Sequence, residues 1–183
     1  MMVSLDGFFE GLNHDLSWHN VDAEFDEFAI RQTRGADILL FGRKTYELMA
    51  GFWPTEHARE TDPIVARLMN TKPKIVFSKT LTKVEEKANW KNIRLIKKNI
   101  VEEIKKLKKQ TGKDLAIYGS NNLTVSLIDK GLVDEFRIMV NPVVLGRGNL
   151  LFTDIKGKLD LKLIKTKTFS SGNVLLYYQP IKQ

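Results

Sequence analysis

Gly119-Ser120-Asn121-Asn122-Leu123 closes an apolar run, Leu115–Tyr118, and opens a stretch with helical spacing. A strand that delivers bare backbone amides onto a helix N-terminus can hold a phosphate. Those N–H groups have no partners inside the helix, and the helix dipole favours an anion. Gly42-Arg43-Lys44-Thr45 repeats the design after Ala36–Phe41. There Gly42 allows a sharp turn, Thr45 offers a hydroxyl, and Arg43 and Lys44 bring charge, the arginine in a form that can grip phosphate bidentately. Ser78-Lys79 follows a third strand, Lys74–Phe77, with a hydroxyl and an ammonium suited to a ribose phosphate. Two phosphate-holding turns in one small domain point to a dinucleotide, and so to redox chemistry. Each turn also has a plainer reading: a basic helix start at Gly42, a surface turn at Ser78, and an N-cap at Ser120 or Asn121.

Other chemistries find less support. Gly146-Arg147-Gly148 lacks the third glycine and the following helix of a dinucleotide fingerprint, so it reads as a tight loop after a strand. There is no G-x-S-x-G, no S-x-x-K and no cysteine for nucleophilic hydrolysis. His14, His19 and His57 lack metal-ligand spacing, and no metal is expected. Among the acidic residues between Asp6 and Glu27, Asp6 ends the first strand and Glu24 shares a helix face with Phe28. Either could reach a cleft as a proton donor.

The elements that must position these residues follow from periodicity and punctuation. Met1–Leu5 reads as a strand, Asp6-Gly7 as a turn, and Gly11–His14 as loop. Asp22 caps a helix running to Arg34, with Phe25, Phe28, Ala29 and Gln32 on one face. Arg43–Ala50 is a helix stopped by Gly51, and another begins at Asp62-Pro63. After Lys74–Phe77 and Ile93–Ile96 comes a lysine-rich helix over Lys97–Lys109. Asn122–Lys130 is a helix with Gly131 at its C-cap, and Glu135–Val140 is a strand. Leu159–Thr168 and Val174–Gln179 flank Ser170-Ser171-Gly172-Asn173, a hairpin signal. Alternating strands and helices before a hairpin give an α/β fold, mostly parallel with an antiparallel edge.

With 183 residues and 43% hydrophobic content, the chain suits a single domain over residues 1–183. No run approaches the roughly 20 apolar residues of a membrane span, and no leader precedes the first strand, so the cytoplasm is the expected location. The net charge of +7 raises the question of nucleic acid. Lys97–Lys109 holds six lysines and two glutamates, but Ile100, Ile104 and Leu107 recur at helical spacing and turn the lysines to solvent. Without arginine or interleaved aromatics this is a solvated face, and no nucleic-acid partner is expected.

Five segments together resemble the dihydrofolate-reductase-like fold, in particular the reductase domain of the bifunctional riboflavin-biosynthesis deaminase-reductase. They are Ser4-Leu5-Asp6-Gly7, Gly42 through Glu47, Tyr118-Gly119-Ser120, Gly131 through Glu135, and Pro142 through Gly146 with Leu151-Phe152. The resemblance implies a central, mostly parallel sheet flanked by helices, with the C-terminal hairpin at its edge. It also implies NADPH as cofactor, with its phosphates at Gly42, Arg43, Lys44 and Thr45, and its 2′-phosphate at Ser78 and Lys79. Gly119, Ser120, Asn121, Asn122 and Leu123 would lie along the pyrophosphate and nicotinamide, and Val3 and Ser4 against the carboxamide. Trp18, Phe52 and Trp53 would line the substrate side, although core packing explains each aromatic equally well. The substrate would be a small heterocyclic or sugar-like carbonyl or imine, and the subunits would pair as a homodimer. Folate reductases carry one carboxylate on the first helix, which here falls on Ala23 or Glu24. That uncertain acid keeps open a folate reductase, or a nucleotide-binding module without turnover. No deaminase domain accompanies these residues, so a stand-alone reductase is expected.

Overall fold

The computed structural model describes residues 1–181. In chain order it forms β1 (Met2–Val3), β2 (Phe8–Glu10), a 3-10 turn (Leu12–His14), α1 (Ala23–Gly35), β3 (Ala36–Gly42), α2 (Arg43–Phe52), α3 (Glu56–Thr61), α4 (Pro63–Thr71) and β4 (Lys74–Phe77). There follow β5 (Ile93–Ile96), α5 (Ile100–Lys108), β6 (Asp114–Gly119), α6 (Asn121–Ile128), β7 (Phe136–Val140), β8 (Asn149–Leu150), β9 (Leu161–Thr168) and β10 (Val174–Pro180). These elements gather into two compact units. One comprises Glu27–Ser126, the other Met1–Asp26 together with the chain from Leu127 onward.

The Glu27–Ser126 unit holds a four-stranded sheet in the order β5-β4-β3-β6, parallel throughout. β3 and β4 are its inner strands, and their near-continuous apolar runs are what a parallel sheet covered on both faces demands. Leu39, Phe41, Tyr46, Val65, Met69, Val76 and Trp90 form the buried cluster around them. One charged side chain lies inside. Lys74 is 1% exposed and sits 4.5 Å above the Trp90 ring. Its Nζ donates to the carbonyls of Asn70 (3.0 Å), Lys72 (2.7 Å) and Lys91 (2.9 Å). Two of these lie at the end of α4, whose last carbonyls have no helical donor, so Lys74 closes that helix from below. Burial pushes its ammonium down to about 8 from 10.5.

In the other unit the order is β1-β7-β10-β9, with β1 parallel to β7 and the remaining pairs antiparallel. A two-stranded ribbon, β2 with β8, completes it. The predicted parallel sheet and terminal hairpin are therefore both present, in two separate four-stranded sheets. The hairpin turns where expected: Phe169 N–H donates to Asn173 O (2.9 Å) and Gly172 takes a φ of +88°.

Local departures have local causes. The first strand ends at Val3 instead of Leu5, because Ser4 draws the backbone into a turn. Its Oγ accepts from Phe8 N–H (3.0 Å), and its carbonyl accepts from Gly7 N–H (3.0 Å). A short polar side chain that bonds nearby backbone competes with a strand in this way. The lysine-rich helix begins at Ile100, after Asn99 in the left-handed region, so Lys97 and Lys98 lie in the short turn that follows β5. α3 was not anticipated; Thr55 caps it through its hydroxyl, which accepts from Ala58 N–H (3.2 Å). α6 starts one residue early and ends before Lys130. Asp22 does cap α1, accepting from Phe25 N–H at 2.8 Å, and Gly131 does follow α6 with φ +63°.

Candidate functional site

In the Glu27–Ser126 unit the three sequence-predicted corners lie side by side. Parallel strands end at the same edge of a sheet, and the register pairs Phe41 with Gly119 and Gly42 with Phe77. Gly119-Ser120, Gly42-Arg43 and Ser78-Lys79 are thus neighbours at the carboxyl edge, about 4.8 Å apart per strand. Ligands of open α/β sheets bind at such an edge. The two glycine corners interlock. A Cβ on Gly42 would stand 2.3 Å from Ser120 Oγ and 2.9 Å from Ser120 N, and one on Gly119 would stand 2.7 Å from Thr45 Oγ1. Gly119, at φ +123°, precedes a cis peptide to Ser120.

The helices leaving these corners start without an acidic first turn, as α4 also does. α1, α3 and α5 carry acidic residues in their first turns, the usual complement to the positive end of the dipole. α2 and α6 carry none. Gly42, the N-cap of α2, supplies no side-chain acceptor to the first-turn amides of Arg43, Lys44 and Thr45, and a helix start of this kind suits an anion. Arg43 is exposed; its Nε donates to Glu47 at 2.8 Å and its Nη1 to Thr80 Oγ1 at 3.1 Å, which ties the second corner to the third. Ser78 is buried. Its hydroxyl accepts from Leu81 N–H (3.0 Å) and Thr80 N–H (3.3 Å), shaping the loop and leaving Lys79 and Thr80 at the surface. Asn122 is exposed, whereas Leu123 packs inward at 7% exposure.

Sequence reading missed three residues at this edge. They are Thr80, which no motif marks, and Lys97 and Lys98, which periodicity alone places in a helix. Ile96 pairs with Phe77, so the lysine pair extends the row of corners by one strand. Asn99, standing just before the apolar period of Ile100, Ile104 and Leu107, was the signal that the helix starts later.

Phe52 and Trp53 meet edge to face at the end of α2, with ring centroids 4.9 Å apart. Trp53 packs against the core cluster and its indole N–H donates to Met49 Sδ, so packing accounts for it, while Phe52 stays 38% exposed.

The remaining candidates belong to the other unit. Val3 and Ser4 are buried, and their backbone is well used. The Val3 carbonyl accepts from Asn141 N–H (2.8 Å) and Nδ2 (3.3 Å), and Ser4 N–H donates to Phe8 O (2.9 Å). Asp6 accepts from the Ser4 hydroxyl (2.6 Å) and from the N–H groups of Leu145 (3.1 Å) and Gly146 (2.8 Å). These bonds, the Ser4 hydroxyl foremost, hold its carboxyl below the usual carboxylate range. They also anchor the Gly146-Arg147-Gly148 loop, where a Cβ on Gly148 would meet Glu10 O at 2.2 Å. Glu24 accepts from both Ser170 N–H (2.6 Å) and Ser170 Oγ (2.7 Å), which likewise lowers its pKa. Both acids are therefore set up as hydrogen-bond acceptors, which counts against either as a proton donor at neutral pH. Trp18 is half-buried, its indole N–H on Asp15 O (3.1 Å).

The model of the RibD C-terminal domain family matches residues 1–175. The chain is 39% identical over 180 residues to the uncharacterized protein YyaP of Bacillus subtilis (strain 168), covering 97% of this chain and 91% of that protein. Among solved structures, a Shewanella sp. PV-4 protein provisionally ascribed to riboflavin biosynthesis superposes with a TM-score of 0.76 at 24% identity, over 100% of this chain and 97% of that one. Dihydrofolate reductase from Enterococcus faecalis, solved with NADP(H), gives 0.63 at 14% identity, over 99% and 94%. At such identities the solved structures speak for the fold, and the dihydrofolate-reductase-like architecture is shared. With the family match spanning nearly its whole length, this chain belongs to the RibD C-terminal domain family.

Proposed function

We propose that this protein is an NADPH-dependent reductase acting on a carbonyl or imine of a small heterocyclic or sugar-like compound, in the manner of a 5-amino-6-(5-phosphoribosylamino)uracil reductase. The observation that carries this reading is the row of corners at the carboxyl edge of β6, β3 and β4, two of them interlocked glycine turns feeding helices without first-turn acids. NADPH, when bound, supplies the hydride. The chain would hold its phosphates on the first-turn amides of α2 and α6, with Arg43 and Lys79 countering the charge. The space where Gly42 and Gly119 lack a Cβ lets the two turns close on each other, and a bulkier residue at either would separate them. Family membership brings a cytoplasmic setting and paired subunits into the same proposal.

The test is loss of NADPH absorbance on addition of the aminouracil ribosyl phosphate, a pterin, or simple carbonyl compounds. Oxidation of NADPH with one of them supports the reading; tight binding without oxidation across the panel overturns it in favour of a nucleotide-binding module. The geometry of Asp6 and Glu24 favours that second reading, since neither is poised to give up a proton. If turnover occurs, water delivers the proton, and Glu24→Gln will leave kcat within about twofold of wild type; a loss of 100-fold or more, the scale of a missing general acid, restores Glu24 to that role.

Cofactor choice gives a separate expectation. Lys79→Ala removes a cation at the third corner, so NADPH affinity should fall about tenfold or more while NADH affinity barely changes. Parallel fluorescence titrations with the two dinucleotides measure this, and equal losses for both would place the 2′-phosphate elsewhere.

A further inference from the structure

The same parallel sheet has a second feature at its opposite edge. A cavity of about 500 Å³ opens where α4 runs into β4 and the preceding loop runs into β5, lined by Arg59, Arg67, Asn70, Asn89, Lys91 and Asn92 among others. No carboxylate lines it. Arg59, Arg67 and Lys91 are exposed, and their side chains form no ion pair among the described residues.

The carbonyls around this cavity are already engaged from within the protein. Arg67 O accepts from Thr71 Oγ1 (2.8 Å) and Thr71 O from Asn92 Nδ2 (2.9 Å). Asn70 O and Lys91 O both turn inward to Lys74 Nζ. The end of α4 would ordinarily present negative partial charge here, but its carbonyls are satisfied by a buried cation. The cavity wall is therefore mainly apolar, with these backbone carbonyls withdrawn, Asn70 Oδ1 buried in it without a partner, and three exposed cations standing around it. A hollow of this size holds far more than a bare tetrahedral anion and falls within the range of small-molecule sites.

We propose that this cavity is a second ligand site, distinct from the dinucleotide corners, which takes the phosphoryl group of a small organic phosphate. Arg59 and Arg67, on the two helices of the α3–α4 pair, approach the phosphoryl oxygens with Lys91. The amides of Asn89 and Asn92 stand beside them to meet the hydroxyls of the organic body.

Titration of the whole protein with ribose 5-phosphate, followed by amide chemical shifts, tests this. Saturable shifts are expected at Thr71, Asn89, Lys91 and Asn92, and pyrophosphate, which shares the phosphoryl chemistry without the polyol, should move the same amides less. Arg59→Glu/Arg67→Glu should weaken binding at least tenfold and leave NADPH affinity unchanged, since neither residue lies at the carboxyl edge. Lys91→Gln gives a milder variant should the double reversal melt early. Absence of shifts at these amides up to about 10 mM, where a 1 mM site would be nearly full, overturns the proposal. So do shifts confined to the Gly42 and Ser78 corners, or shifts that survive the charge reversal.

Discussion

Gly42→Ala will lower NADPH affinity by about 100-fold or more, equivalent to roughly 2.7 kcal/mol. The added Cβ would stand 2.3 Å from Ser120 Oγ, 3.1 Å from Ser120 Cβ and 2.9 Å from Ser120 N. A hydroxyl can rotate away, but a backbone nitrogen at the start of α6 cannot move without carrying its helix. The two corners must therefore part, and the amides proposed to hold one extended anion would no longer reach it together. The partner change Ser120→Gly removes the Oγ and Cβ contacts and leaves only the one to nitrogen. In the double variant about tenfold of the lost affinity should return. Gly51→Ala is the control. Nothing lies within 4 Å of its Cβ position, it sits inside α2, and alanine there should stabilise by about 0.5–1 kcal/mol without touching affinity. Fluorescence titration with NADPH beside thermal melting separates the cases. Should Gly42→Ala bind as wild type does, the interlocked corners are not where the cofactor is held.

These corners were legible because their chemistry is local. A glycine after an apolar run, followed by small polar or basic residues and a helical period, states a strand, a turn and a helix start within ten residues. Parallel order then brings such turns to one edge with no further information. Long-range partners were not legible. Nothing beside Asp6 in the chain announces that Leu145 and Gly146 will bond its carboxylate, or beside Glu24 that Ser170 will. Their sequence positions suggested proton donors, while their environment makes them acceptors. Lys97 and Lys98 were misassigned for a different reason: lysines suit both a helix face and the turn after a strand, and only the cap at Asn99 separates the two. The amino edge was silent. Arg59, Arg67 and Lys91 are scattered over some thirty residues, and their common cavity exists only once α3, α4 and the loop before β5 are packed.

Lys74 shows the same limit most sharply, because a lysine opening a strand reads as a solvent-facing edge residue and here it is a buried strut. Lys74→Met keeps the length and apolar bulk of the side chain but removes the donor to three carbonyls. Each lost bond from a charged donor is worth about 1.5–3 kcal/mol, against which stands the relieved cost of burying an ammonium. A net destabilisation of about 3 kcal/mol is expected, or a fall of about 6–12 °C in Tm for a chain of this size. The pH dependence distinguishes the contributions. Burial sets the folded pKa of Lys74 at about 8, below the unfolded value of 10.5, so between these limits the unfolded chain binds the additional proton. Stability from this group is then at its lowest below pH 8 and rises toward pH 10.5. Other titrating groups are common to both proteins and cancel in the difference. Urea unfolding from about pH 7.5 to about pH 10 should therefore show the gap between wild type and Lys74→Met widening as pH rises. A gap that narrows instead would mean that three carbonyls hold the ammonium proton more firmly than water does, and that the charge itself, not the neutral amine, is what this core is built around.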